Sequence, residues 1–159
     1  MTISDTRTQA DDKSGALLCR LVQESGHRIH EQCIVPDDIY QIRATVSRWI
    51  ADPGVQVIVT TGGTGITGRD GTPEAVRPLL DKEIDGFGEM FRKLSFDLIG
   101  TSTIQSRALA GVANGTFIFN LPGSSGACKD GWTQLISQQL DYRTRPCNLV
   151  ELMPRLLET

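Results

Sequence analysis

The sequence predicts an α/β fold of three layers, with a mostly parallel, doubly wound sheet and one antiparallel strand. Three observations predict it. Segments with helical spacing of apolar residues alternate with short β-branched runs, the order expected when helices cross over a parallel sheet. Two glycine-rich loops, residues 62–71 and 122–126, each stand between a strand-like run and a helix-like run. Asn114-Gly115 lies between two apolar runs, a strong hairpin signal that brings one antiparallel strand into the sheet. The 159 residues suit a single domain, 1–159, which can bury about two-thirds of its unfolded surface without disulfides or a structural metal.

The elements follow in order. From Ser14, Leu17, Leu18, Leu21 and Val22 form a helical stripe that Gly26 ends, with His27 assisting the cap. Residues 28–35, carrying Ile29, Cys33, Ile34 and Val35, read as a strand. Pro36-Asp37-Asp38 is a turn before a helix that places Ile39, Ile42, Val46, Trp49 and Ile50 on one face, and Asp52-Pro53-Gly54 ends it. Residues 55–61 (VQVIVTT) are nearly all β-branched, as in a strand covered on both faces. Thr72-Pro73-Glu74-Ala75 opens a helix with Thr72 as N-cap, a proline at the first helical position and an acid in the first turn. Ala75, Val76, Leu79 and Leu80 are its apolar side, and a short helix is expected over 88–94. Residues 107–113 and 116–121 make the hairpin, a helix runs from about 127 to 140, and the apolar tail 141–159 reads as a docked extension.

Composition narrows the function. Sixteen Lys and Arg against nineteen Asp and Glu give a net charge of −3, which does not suit a nucleic-acid partner. No apolar run approaches the roughly 18 residues of a membrane span, and the polar start lacks the apolar stretch of a secretory signal, so the expected location is the cytoplasm. Cys19, Cys33, Cys128 and Cys147 form no C-x-x-C pair, and His27 and His30 lie far from three of them. A zinc site is therefore not expected; Cys19 and Cys33 read as reduced core residues. Ser4, Ser14, Ser102 and Ser106 have no neighbour in sequence that would mark a nucleophile.

Ligands of open α/β sheets bind at the carboxyl ends of the strands, where both glycine loops fall. Thr61-Gly62-Gly63-Thr64-Gly65 offers backbone N–H groups beside a helix N-terminus, which suits phosphate or another anion. It matches neither the P-loop nor the dinucleotide fingerprint, and an ordinary tight turn is the alternative. Asp70 is in the same loop, and Asp37 follows another strand. Two acids beside an anion loop repel the anion unless a cation mediates, and Mg²⁺ is the natural one. On position alone, Asp37 also suits helix capping and Asp70 a turn or a surface ion pair. Ser124 and Ser125 in the second loop could hold a further polar group or cap the helix.

The stretch VIVTTGGTGITGRDGTPEAVRPLLDKEIDGFGEMFRKLS, with IVPDD, IGTSTIQSRALAGVAN, NLPGSSGAC and TRPCN, resembles the MoaB/MogA family of molybdenum cofactor biosynthesis, closest to the MoaB branch. The resemblance covers nearly the whole chain. It implies a molybdopterin-binding fold assembled as homotrimers or homohexamers. It implies binding of molybdopterin and Mg-ATP, transfer of AMP to the pterin phosphate with release of pyrophosphate, and hand-over to a molybdate-insertion enzyme. Carried over residue by residue, the catalytic carboxylates and tentative Mg²⁺ ligands are Asp37 and Asp70. The molybdopterin site is Thr61, Gly62, Gly63, Thr64, Gly65, Ser106, Pro122, Gly123 and Ser124, and the nucleotide side is Ser4, Asp5, Asp12, Ser14 and Gly15. The alternative is a non-catalytic molybdopterin-binding or scaffold protein of the same pathway. One departure stands out: the family has a strand of several residues before the Ser-Asp pair, whereas Met1-Thr2-Ile3 alone precedes Ser4. The expectation is either a shortened first strand or a true start upstream of Met1.

Overall fold

The structure is a computed structural model describing residues 1–158. Six strands form one sheet in the order β2-β1-β3-β6-β5-β4. They are β1 (Thr2–Ile3), β2 (Ile34–Val35), β3 (Val57–Thr61), β4 (Lys82–Glu83), β5 (Leu109–Ala113) and β6 (Thr116–Leu121). The β2, β1, β3 and β6 neighbours pair in parallel, while β5 runs opposite to both β6 and β4. One strand is therefore reversed, as the Asn-Gly signal predicts. Asn114 (φ 45°) and Gly115 (φ 79°) both adopt the left-handed region that a two-residue hairpin turn requires.

Helices cover both faces. α1 (Lys13–Glu24) is capped by Asp12, whose carboxylate accepts from the Gly15 amide at 2.9 Å. α2 (Ile39–Ile50) is capped by Asp38, which accepts from Gln41 N–H at 2.9 Å. α3 (Thr72–Val76) is short, because Pro78 in the following 3₁₀ turn (Arg77–Leu79) has no N–H to continue it. Thr72 is not its N-cap as expected: Gly71 holds that place, and the Thr72 hydroxyl donates instead to Gly62 O at 2.9 Å. α4 (Asp85–Ile99) is longer than the predicted 88–94, anchored by Phe87 and Phe91 one turn apart. α5 (Ser125–Gly131) runs through a π turn (Trp132–Ile136) into α6 (Ser137–Gln139), and Ser124 is its N-cap. No helix is long and apolar enough to cross a membrane among the described residues.

The core lies in two clusters, one on each side of the sheet. Leu18, Phe87, Phe91, Trp132 and Ile136 meet Phe117 and Phe119 on one face. Ile42, Val46, Trp49, Ala75 and Val76 meet Ile58 and Ile118 on the other. The alternation along β6 feeds both, as expected for a strand buried on two sides. Leu149, Met153 and Leu156 of the tail pack on the first cluster, so the tail is docked. Four details correct the sequence reading. Residues 28–33 carry no ladder, because the neighbouring β1 offers two residues and pairs only Thr2 with Ile34 and Ile3 with Val35. β4, two exposed charged residues, has no strand pattern to find. Cys19 and Cys33 are half-buried and outside the fully buried core, and Cys128 is the buried thiol. His27 stands edge-on to Trp132, with ring centres 6.0 Å apart.

Candidate active site

Because β1, β2, β3 and β6 are parallel, their carboxyl ends share one edge of the sheet. A cavity of about 720 Å³ opens there. Thr61, Gly62, Gly63, Thr64 and Gly65 line it, as do Ser106, Pro122, Gly123, Ser124, Ser4, Ser14, Asp37 and Asp70. Asp5, Asp12 and Gly15, also expected on the nucleotide side, do not line it. Asp12 is buried and accepts hydrogen bonds from the Thr2 hydroxyl, the Ser14 hydroxyl and the Gly15 amide. Gly15 is small because a Cβ there would overlap the Asp12 carboxylate. Both support the loop after β1 from behind.

The first glycine loop is shaped by its backbone. Gly62 (φ 108°) and Gly63 (φ 64°) occupy conformations that L side chains avoid, and a Cβ on Gly62 would overlap Ile3 O. Gly62 N–H donates to Leu121 O at 3.0 Å, tying the ends of β3 and β6 together. Arg107 clamps the far side of the loop: Nε donates to Gly65 O and Nη2 to Asp70 O, both at 2.7 Å, while Nη1 pairs with Glu74. Its backbone N–H donates to Thr64 O at 3.1 Å. Arg7 spans the other side, bonding Ser14 and donating to Gly123 O at 3.3 Å.

The two carboxylates differ. Asp38, not Asp37, caps α2, and the Asp37 carboxylate has no donor partner among the described residues. Burial, and then the charge of Asp70, hold its carboxyl above the usual range. Partial burial also pushes the Asp70 carboxyl upward. Hydrogen bonds from the Thr67 hydroxyl (2.6 Å) and amide (2.8 Å), with the Gly65 amide and Arg107, outweigh it and bring Asp70 below its usual value. Asp70 is thus the settled anion and Asp37 the unsettled one. Asp5 sits behind them, accepting from Asp37 N–H at 3.1 Å and pairing with Arg69. The carboxylate pair is an all-oxygen donor set beside an anion-shaped loop. That suits a hard cation such as Mg²⁺, which takes one or two carboxylates and completes its shell with water and substrate phosphates. No cluster of three or more His, Cys, Asp and Glu, the mark of an all-protein cage, occurs among the described residues.

Residues 1–142 match the family model described as a probable molybdopterin binding domain. The chain belongs to this family. Molybdenum cofactor biosynthesis protein B of Escherichia coli (strain K12) is 55% identical over 148 residues, 93% of this chain and 87% of that protein. A crystal structure of a molybdenum cofactor biosynthesis protein B superposes with a TM-score of 0.85 at 48% identity, covering 87% of each chain. The tungsten cofactor synthesizing protein MoaB from Pyrococcus furiosus superposes at 0.78 with 39% identity, covering 87% of this chain and 89% of that one. The resemblance seen in the motifs is therefore a family relationship, and the sheet is the family's fold. Sequence reasoning missed Arg7, Arg69, Arg107 and Glu74. An arginine at the foot of a strand, as Arg107 is, has no local pattern that tells a clamp from a solvated charge.

Proposed function

We propose that this chain acts in molybdenum cofactor biosynthesis as a molybdopterin adenylyltransferase. An oxygen of the pterin's terminal phosphate attacks the α-phosphorus of ATP, a new P–O bond forms, and the bond to pyrophosphate breaks. The observation that carries the reading is the convergence of Asp37, Asp70 and both glycine loops on one cavity. The first loop and the Pro122-Gly123-Ser124 turn would hold the pterin, with Ser106 at its edge. Ser4 and Ser14 would face the nucleotide, with Asp5 and Asp12 supporting them. Mg²⁺, when bound, neutralises triphosphate charge. Asp37 and Asp70 would hold it, and Arg107 fixes the Asp70 backbone against movement. Such transfers depend on charge neutralisation and alignment more than on a strong base.

Incubation with molybdopterin, ATP and Mg²⁺ should yield adenylylated pterin and pyrophosphate. Asp70→Asn should lower turnover at least about 100-fold with pterin binding retained. Wild-type turnover in that variant would refute the role. A second reading is pterin binding without turnover. Pterin binding with no product from the wild type would select it. We also infer assembly as a homotrimer or homohexamer, supported by the exposed Phe96, Leu98, Ile99 and Ile104 on and just after the end of α4. Delivery of product to a molybdate-insertion enzyme follows from the same reading. Sedimentation equilibrium reports the assembly directly.

A further inference from the structure

Asp37, Asp70, Arg7 and Arg69 are the charged side chains that line the cavity. An anion entering it must therefore find its positive partners in two arginines or in a bound cation. Arg69 is paired with Asp5 and 69% of its side chain is exposed, against 36% for Arg7. Arg107 does not line the cavity, and its guanidinium is taken up by Gly65 O, Asp70 O and Glu74. Arg7 is held more loosely. Its Nη1 bonds Ser14 and reaches Asp12 at 3.4 Å, the longest of the four hydrogen bonds which that carboxylate accepts. Its Nη2 donates to Gly123 O at 3.3 Å. The Nε–H and one Nη2 hydrogen have no partner among the described residues.

We infer that Arg7 holds a substrate phosphate, its unpartnered donors taking two non-bridging oxygens at the seam between the segment after β1 and the two glycine loops. The position supports it. Ser14 and Gly123, the two groups that Arg7 bridges, both line the cavity. A Cβ on Gly123 would stand 3.3 Å from Gly62 Cα, so the two glycine loops abut where Arg7 reaches. A guanidinium there offers planar, charge-assisted bonds to a phosphate, which a flexible ammonium does not. The inference rests on the reading of this cavity as a phosphate-transfer site. In that reading the nucleotide lies on the Ser14 side and the pterin on the Gly123 side, so Arg7 stands where the two phosphates meet. It offsets their repulsion as they approach, and it forms no covalent bond and moves no proton.

The probe is inorganic pyrophosphate, titrated calorimetrically into the full chain at constant Mg²⁺. Arg7→Gln keeps a donor for Gly123 O but loses the charge, and should weaken binding about 10–100-fold. Arg7→Lys restores the charge without the fork and should recover only part of the loss. Equal affinity in the wild type and Arg7→Gln, with only the melting temperature changed, would make Arg7 a tether and overturn the inference. So would a wild type that binds no pyrophosphate. In the wild type itself, the Nε–H proton resonance of Arg7 should move downfield on addition of pyrophosphate. An unmoved resonance would overturn the inference even if the glutamine variant does not fold. Where the wild type transfers AMP, Arg7→Lys should lower kcat by about 10-fold or more with a smaller change in the KM for ATP. A wild type that makes no adenylylated pterin, yet loses pyrophosphate affinity in Arg7→Gln, would sink the transferase reading and uphold the phosphate contact.

Discussion

Above β3, from Gly62 to Asp70, the chain is fastened mainly through backbone atoms: Gly62 to Leu121, Thr72 to Gly62 and Gly63, Arg107 to Thr64, Gly65 and Asp70. Above β1, from Ser4 to Asp12, it is fastened by side chains, several of them exposed: Asp5 to Arg69, Arg7 to Ser14 and Gly123, Ser4 to the amides of Thr6 and Arg7. Both segments border the same cavity. Backbone fastening on a five-residue strand gives a preformed wall, while side-chain fastening on a two-residue strand gives a wall that ordering by ligand or neighbour can still change. The first glycine loop is the built half of this cavity and the segment after β1 the adjustable half.

Substitutions can break that contrast or sharpen it. Gly62→Ala should have the largest effect, about 2–4 kcal/mol of stability, because it forces a side chain onto positive φ and against Ile3 O. Urea denaturation measures it, and a loss under about 1 kcal/mol would mean the first loop is as yielding as the second segment. If the proposed function holds, Arg107→Ala should lower kcat/KM roughly 10–100-fold by freeing the Asp70 backbone. Arg107→Lys should recover little, since one ammonium cannot reach Gly65 O, Asp70 O and Glu74 together. Full activity in the lysine variant would reduce Arg107 to a source of charge. Arg69→Ala, on the adjustable side, should cost less than about 1 kcal/mol and, if the proposed function holds, should mainly raise the KM for ATP, an effect that fades at high salt.

Asp37→Asn should have the smallest effect on stability and the opposite sign. The folded-state pKa of Asp37 is raised, so its ionised form is disfavoured by folding. That penalty is fully present above the folded value and vanishes below the ordinary carboxylate range. The variant should melt slightly higher than wild type at pH 7, and the gain should disappear as pH falls through the carboxylate range. A lower melting point at pH 7 would show that Asp37 has a structural partner. The same substitution should still abolish adenylyl transfer if the proposed function holds.

The fold was legible where residues act through local chemistry. Asn114-Gly115 specifies its turn by backbone conformation, and VQVIVTT and TFIFNL specify buried strands by side-chain type. The edge and the centre were not. β4 has no pattern because its two residues face solvent, and residues 28–33 carry a strand's pattern but no ladder, because pairing is a property of the neighbour. The candidate site was legible as glycines and acids. The division of roles between Asp37 and Asp38 was not, since either position suits a cap and only the geometry assigns it to Asp38. Asp12 and Gly15 lie one layer behind the cavity, which the sequence does not reveal because a buried hydrogen-bonded carboxylate and a wetted ligand-facing one look alike in it.

The Asn114-Gly115 turn also bears on how the chain folds. It joins β5 to β6, the one strand pair that forms by closing a short loop. Every parallel pairing must close a long one: β3 meets β6 with Val57 and Phe117 sixty positions apart, and β1 meets β3 with Thr2 and Thr61 fifty-nine apart. Loop closure of that length is entropically costly before any contact rewards it. The hairpin is therefore the strand pair whose closure costs least, and the one expected to form first. Gly62 N–H is tied to Leu121 O at the end of β6, so the edge of the sheet that borders the cavity rests on the second strand of that hairpin.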